Sequence, residues 1–195
     1  MTTTGPKGWY SRNYLPHLDA PHIFQSITFR LYDALPREVV LRLEEQARAK
    51  LITDIEKRRG IESYLDAGYG ACWLRRPEIA RIVQDVLQYF DGERYRLLAW
   101  CIMPNHVHVL IETFRGHPLG KVLLSWKSFS ARKANVLLER EGYFWQREYF
   151  DRYVRDAEHH EQLVFYIENN PVKAGFVERA EDWRFGSAWA RRNLE

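Results

Sequence analysis

The chain has 195 residues, 46% of them hydrophobic, and a formal net charge of +3. That is enough apolar material for one sizeable core with peripheral additions, and no run of about eighteen apolar residues offers a membrane span. Without a signal-peptide pattern the expected location is the cytoplasm, and two cysteines in apolar settings, Cys72 and Cys101, exclude a disulfide scaffold and a thiolate zinc site.

Met1 to Pro21 has little periodicity and carries three prolines and two glycines, so it reads as an irregular N-terminal arm. Ile23 to Leu31 is rich in β-formers and reads as a strand. Pro36 opens a helix in which Val39, Val40, Leu43, Ala47, Leu51 and Ile55 recur at helical spacing, with Gly60 as its end. Residues 61–75 read as a loop. Pro77 starts a second helix, with Ile79, Ile82, Val83, Val86, Leu87 and Phe90 on one face and Asp91-Gly92 closing it. Tyr95 to Met103 is an apolar strand, Pro104-Asn105 a tight turn, and His106 to Glu112 the antiparallel partner. A long helix follows from Pro118 to Arg140, then a strand from Phe144 to Val154. Asp156 caps a helix from Ala157 to Asn170, which Pro171 limits. Trp183, Phe185 and Trp189 of the tail pack on the domain.

Strand, helices, two strands, helix, strand, helix is an α+β order. Its β-α-β-β-α-β core predicts a ferredoxin-like (RRM-like) antiparallel sheet with helices on one face, plus an inserted helix and N- and C-terminal extensions. The expected organisation is an arm over 1–21, one domain over 22–178 and a tail over 179–195.

Within this frame the most informative string is Met103-Pro104-Asn105-His106-Val107-His108-Val109-Leu110. On a strand, side chains alternate, so His106 and His108 point to the same face. Two imidazoles from one strand can hold a divalent metal and leave positions open for a substrate. The bland alternative is a partly exposed histidine pair. The last helix places Tyr166 and Asn170 four residues apart, on one face. Together they offer a hydroxyl nucleophile and a third metal ligand, against the alternatives of a packed helical aromatic and a residue at a helix end. The remaining histidines, His17, His22, His117, His159 and His160, read as solvated. Leu110 stands where a histidine-triad hydrolase would need another alternating histidine. Gly116 to Val122 is not a phosphate loop, because its glycine spacing is one short and Val122 replaces the required hydroxyl.

Residues 121–155 hold eight basic and four acidic side chains, a surplus of four against three for the whole chain. Eight aromatic residues are interleaved with them, from Trp126 to Tyr153. Cations suit phosphates and flat rings suit unstacked bases, so the segment reads as a single-strand contact surface or as an ordinary amphipathic helix and strand.

The string MPNHVHVLI resembles the His-hydrophobic-His motif of single-tyrosine (HUH) transposases. FWQREYFDRYVRD followed by YIENNPVKAGFVE is similar to the C-terminal signature of REP-associated tyrosine transposases, related to insertion-sequence transposases. GWYSRNYLPHLDAP, GACWLR and DWRFGSA resemble segments of one subgroup, so the resemblance spans nearly the whole chain. It implies a metal-dependent single-stranded DNA endonuclease and strand-transferase acting on hairpin (repetitive extragenic palindrome) DNA through a 5′-phosphotyrosine. Carried over residue by residue, Tyr166 is the nucleophile, and His106, His108 and Asn170 bind Mg²⁺ or Mn²⁺. Related transposases often have Gln or Glu at the position of Asn170. The residues expected to contact DNA are Arg12, Lys127, Arg132, Lys133, Trp145, Arg147, Tyr149 and Arg152, with His17 of the arm beside Arg12. The expected state is a monomer or homodimer, nucleoid-associated and off the membrane. A hairpin DNA- or RNA-binding module with an idle site is the alternative.

Overall fold

In the computed structural model, which describes residues 8–11 and 16–194, the chain opens on an antiparallel two-stranded ribbon, β1 (Gly8–Ser11) and β2 (Pro16–Asp19). The expected irregular arm is therefore partly ordered as strands. The ribbon is tied to the domain: the Leu18 N–H donates to Asp151, and Gln25 Nε2 donates to the Leu18 carbonyl at 2.7 Å.

Then follow β3 (Phe24–Arg30), α1 (Arg37–Arg48), α2 (Asp54–Asp66), α3 (Pro77–Gln88), β4 (Tyr95–Ile102), β5 (His106–Thr113), α4 (Leu119–Leu137), β6 (Phe150–Tyr153), α5 (Ala157–Glu168), a single turn α6 (Asn170–Lys173) and α7 (Ser187–Leu194). The main sheet has spatial order β4-β5-β3-β6 with every pairing antiparallel. This is the ferredoxin-like order expected of the core. Its long central hairpin turns at Pro104-Asn105, where the Met103 N–H donates to the His106 carbonyl at 2.9 Å.

The alternation of β4 and β5 splits the interior in two. Trp100, Ile102, Val107, Val109 and Ile111 join the larger cluster with Ile79, Val83 and Leu87 of α3 and Leu119, Leu123 and Trp126 of α4. Ala99, Cys101, Met103 and Leu110 point the other way and meet Ile167 of α5. The two helices of the β-α-β-β-α-β core thus share one face, as expected, and α5, which follows the core, adds a layer on the other. On that second face lie His106 and His108.

Three boundaries differ from the expectation. The helix expected from Pro36 to Gly60 is two helices. Lys50 takes a left-handed φ of 57°, and Thr53 and Glu56 form a reciprocal capping box that starts α2. Leu51 and Ile55, which carried the single-helix periodicity, are 74% and 63% exposed. Gly60 lies inside α2, and most of the expected loop over 61–75 is the rest of α2 and a 3₁₀ turn at Trp73–Arg75. The strand expected from Phe144 to Val154 is ladder-paired only over Phe150–Tyr153, apart from a lone bridge between Trp145 and Leu31. Phe144 and Trp145 are adjacent yet both buried in the same cluster, which the alternation of a strand does not allow. Finally, α5 ends at Glu168, two residues short of the expected Asn170, and a separate turn begins before Pro171. Pro171 sits in the first turn of α6, where a missing N–H removes no helical bond.

Candidate functional site

The paired histidines occupy the start of β5, on the face that α5 covers. Both are 1% exposed, and their Nε2 atoms lie 2.9 Å apart. Each ring is held from behind. Asn105 Nδ2 donates to the Tyr69 carbonyl at 2.9 Å, which turns its Oδ1 toward His106 Nδ1 at 2.8 Å. The His106 Nδ1 must therefore carry the proton, leaving the Nε2 lone pair directed inward. Thr28 Oγ1 of β3 meets His108 Nδ1 at 2.9 Å, a contact set by the pairing of Thr28 with His108 across the sheet. The Tyr69 carbonyl is positioned by a close turn: Gly70 has φ +85°, and a Cβ there would lie 2.6 Å from the Asp33 carbonyl. Burial pushes both imidazoles down, His108 to about 3 and His106 well below the ordinary histidine range, with the Lys173 ammonium acting in the same direction. Two neutral imidazoles with outer nitrogens engaged and inner nitrogens convergent form a cation-binding arrangement.

Tyr166 and Asn170 approach the pair from α5 and α6. The Tyr166 ring lies 5.5 Å from that of His108, nearly perpendicular at 78°. Asn170 is 1% exposed, and its Nδ2 donates to the Tyr166 carbonyl at 2.9 Å. Its Oδ1 is buried with no hydrogen-bond partner, a costly state for an acceptor unless a cation meets it. Among the described residues no three His, Cys, Asp or Glu side chains gather as a metal cluster. The groups left with inward-facing acceptor capacity are the imidazole nitrogens of the pair and, one turn beyond Tyr166, the Asn170 amide oxygen. Burial, together with the charge of Glu62 and its hydrogen bond, holds the Tyr166 phenol well above the ordinary tyrosine range, and Asn170 pulls against this. Lys173 Nζ lies 6.0 Å from the Tyr166 ring and pairs with Asp66 of α2 at 2.8 Å.

Beside Tyr166 opens a cleft of about 590 Å³ between α2, α5 and the β3–β6 edge, bordered by Thr28, Arg58, Arg59, Glu62 and Arg152 among others. Of the expected DNA contacts among the described residues, Arg152 alone borders it. Arg132 and Lys133 are exposed on α4, on the opposite side of the sheet from the histidines. Arg147 is exposed with Tyr143 and Leu124 around a separate hollow. Lys127 is a structural tie, donating to the Gln146 and Arg147 carbonyls. Trp145 and Tyr149 are corrections: both are buried, and Trp145 Nε1 donates to Ser130 Oγ at 2.9 Å, so neither ring presents a face to a base. Arg12 lies outside the described residues. Two histidines expected to be solvated are also corrected: His17 is buried against Asp151 and Tyr149, and His159 is buried at the start of α5. Thr28, Glu62, Lys173, Arg58 and Arg59 were not singled out from sequence, because strand register and the fold of α2 bring them in. Asn105 could have been, as the polar neighbour of the histidine motif.

Residues 74–170 match the family model described as "Transposase IS200 like". A putative REP-associated tyrosine transposase of Haemophilus influenzae is 27% identical over 103 residues, covering 48% of this chain and 58% of that protein. The REP-associated tyrosine transposase of Escherichia coli K12 is 24% identical over 93 residues, covering 48% and 54%. The chain thus spans little more than half the length of these relatives. A solved REP-associated tyrosine transposase bound to a REP hairpin shares the fold, with a TM-score of 0.55 and 16% identity over 92% of this chain and 86% of that one.

Proposed function

With residues 74–170 forming an IS200-like transposase segment, we propose that the chain is a metal-dependent single-stranded DNA endonuclease and strand-transferase of the HUH type. Its proposed substrate is hairpin DNA of the repetitive extragenic palindrome kind. One observation carries this reading: two Nε2 atoms 2.9 Å apart stand beside the ring of Tyr166, and Asn170, bonded to the Tyr166 carbonyl one turn on, carries a buried Oδ1 with no partner. His106, His108 and Asn170 would hold Mg²⁺ or Mn²⁺, which when bound polarises a phosphate oxygen and stabilises developing charge.

The chain's own groups supply the rest. The Tyr166 oxygen attacks phosphorus, the bond to the 3′ oxygen breaks, and that oxygen leaves with a proton as a 3′-hydroxyl. The 5′ side remains joined as a phosphotyrosine, so the phosphodiester energy is conserved and no nucleotide cofactor is needed. A phenol held protonated at neutral pH is a weak nucleophile. Cationic surroundings are therefore part of the requirement, and the Lys173 ammonium, paired with Asp66, lies 6.0 Å from the ring. Asn105 keeps His106 in the tautomer that leaves its Nε2 free to bind a cation, and Thr28 Oγ1 holds the orientation of the His108 ring.

The test is incubation of the purified protein with hairpin oligonucleotides bearing a single-stranded foot, with Mn²⁺ or with chelator. The expected result is a denaturation-resistant protein–DNA band that requires metal and is lost in Tyr166→Phe. A stable non-covalent complex with no cleavage in any arm would replace this reading with the idle binding module.

A further inference from the structure

The cleft beside Tyr166 has two walls of different origin. One is β6 with its Arg152 and belongs to the transposase-matched segment. The other is α2 with Arg58 and Arg59, and lies before it. Arg59 and Arg152 are exposed and Arg58 half-buried. None of the three makes a hydrogen bond or ion pair to another described residue, although partners are plentiful elsewhere on this surface. Two acids also border the cleft. Asp151 is already engaged by His17 and the Leu18 N–H, and Glu62 faces the Tyr166 hydroxyl. Three guanidinium groups against these two carboxylates leave a positive surplus at the border of the cleft. A volume of about 590 Å³ suits a short stretch of one strand rather than a duplex.

We propose that α2 and β6 form a track for the phosphodiester backbone of a single DNA strand running to Tyr166, with Arg58, Arg59 and Arg152 as its phosphate contacts. This rests on the function proposed above and gives the strand a route: across the β3–β6 edge, under a helix outside the matched segment, and not over the basic face of α4. Guanidinium groups meet phosphate oxygens in pairs of hydrogen bonds and are weakly hydrated, which suits a backbone contact that ignores sequence. Exposed Ile55, which also borders the cleft, offers an apolar surface to an unstacked base.

The experiment is anisotropy of a fluorescein-labelled single-stranded oligodeoxynucleotide between 50 and 200 mM salt. Removing two phosphate contacts in Arg58→Gln/Arg59→Gln should lower affinity roughly tenfold and reduce the slope of log K against log salt by about 1.4. Arg58→Lys/Arg59→Lys, which keeps the charge, should recover most of that slope, and Arg132→Gln/Lys133→Gln should leave it unchanged. A wild-type slope in the α2 glutamine pair, or a loss carried by the α4 pair instead, overturns the track and leaves the proposed function standing. A wild-type protein that binds no single strand at 50 mM salt overturns both. Photocrosslinking of bromodeoxyuridine-substituted strands to the wild-type protein decides independently of folding in the variants. Crosslinks in the peptide around residues 55–59 support the track, and crosslinks confined to α4 refute it.

Discussion

At the scale of single residues, the site depends on hydrogen bonds behind the histidines as much as on the histidines. Asn105 sets the proton on His106 Nδ1 because its own amide is oriented by the Tyr69 carbonyl. Asn105→Ala should therefore weaken Mn²⁺ binding or activity by about 10- to 100-fold while the fold persists. The check is the Mn²⁺ concentration giving half-maximal cleavage, and an unchanged midpoint would remove Asn105 from this role. A second residue tests the interior. Tyr95 donates to the Leu87 carbonyl at 2.8 Å and accepts from Trp126 Nε1 at 2.9 Å. Burial raises its hydroxyl to about 12. The unfolded chain releases this proton near pH 10, so the folded state loses stability as pH rises from 10 through 12. Urea midpoints across that window should fall in the wild type and fall less steeply in Tyr95→Phe. His106, His108, Tyr166 and Asn170 were legible in the sequence because spacing alone puts them on common faces. The destinies of Trp145 and Tyr149 were not, since a ring between basic residues looks the same whether it meets a base or the interior.

At the scale of elements, the tyrosine helix is located by what grips it from behind. Glu168, next to the site but on the other side of α5, accepts from Ser187 Oγ at 2.5 Å and from Arg191 at 2.6 Å. The segment before α7 is in turn tied to β4, with the Ile102 N–H on the Phe185 carbonyl and Trp183 Nε1 on the Ile102 carbonyl at 3.1 Å. Arg191 is more than half exposed, so solvent screens part of the pair, and Arg191→Ala should cost about 1 kcal/mol. Thermal melting should show a fall of about 2–4 °C, and a melting temperature equal to wild type would mean that α7 does not hold α5. The expectation that Trp183, Phe185 and Trp189 pack on the domain agrees with this docking. The elements that misread were those where a helical apolar repeat ran across a capping signal. Thr53 and Glu56 were visible in the sequence, and their reciprocal hydrogen bonds outweighed the repeat through Leu51 and Ile55.

At the scale of the whole molecule, the histidines and the tyrosine of the site come from one chain: α5 lies against its own β4 and β5, with Tyr166 5.5 Å from its own His108. Mixing inactive Tyr166→Phe with inactive His106→Ala should therefore restore no cleavage. Recovery toward half of wild-type activity in the mixture would show exchange of the tyrosine helix between chains. The sheet also sorts charge. The basic side chains of α4 face away from the histidines, and those of α2 and β6 border the cleft beside Tyr166.

The sequence by itself determined the four-stranded sheet, its histidine-bearing hairpin, the shared face of His106 and His108, and the placing of Tyr166 and Asn170 one turn apart. Those depend on local rules: alternation along a strand, one turn along a helix, and a proline-asparagine turn. Only the tertiary structure decided that α5 crosses to the second face, that Thr28 and Asn105 fix the imidazoles, and that α2 walls the cleft. Each of these joins residues distant in the chain through strand register or packing, and no local periodicity records which distant face a helix will cover.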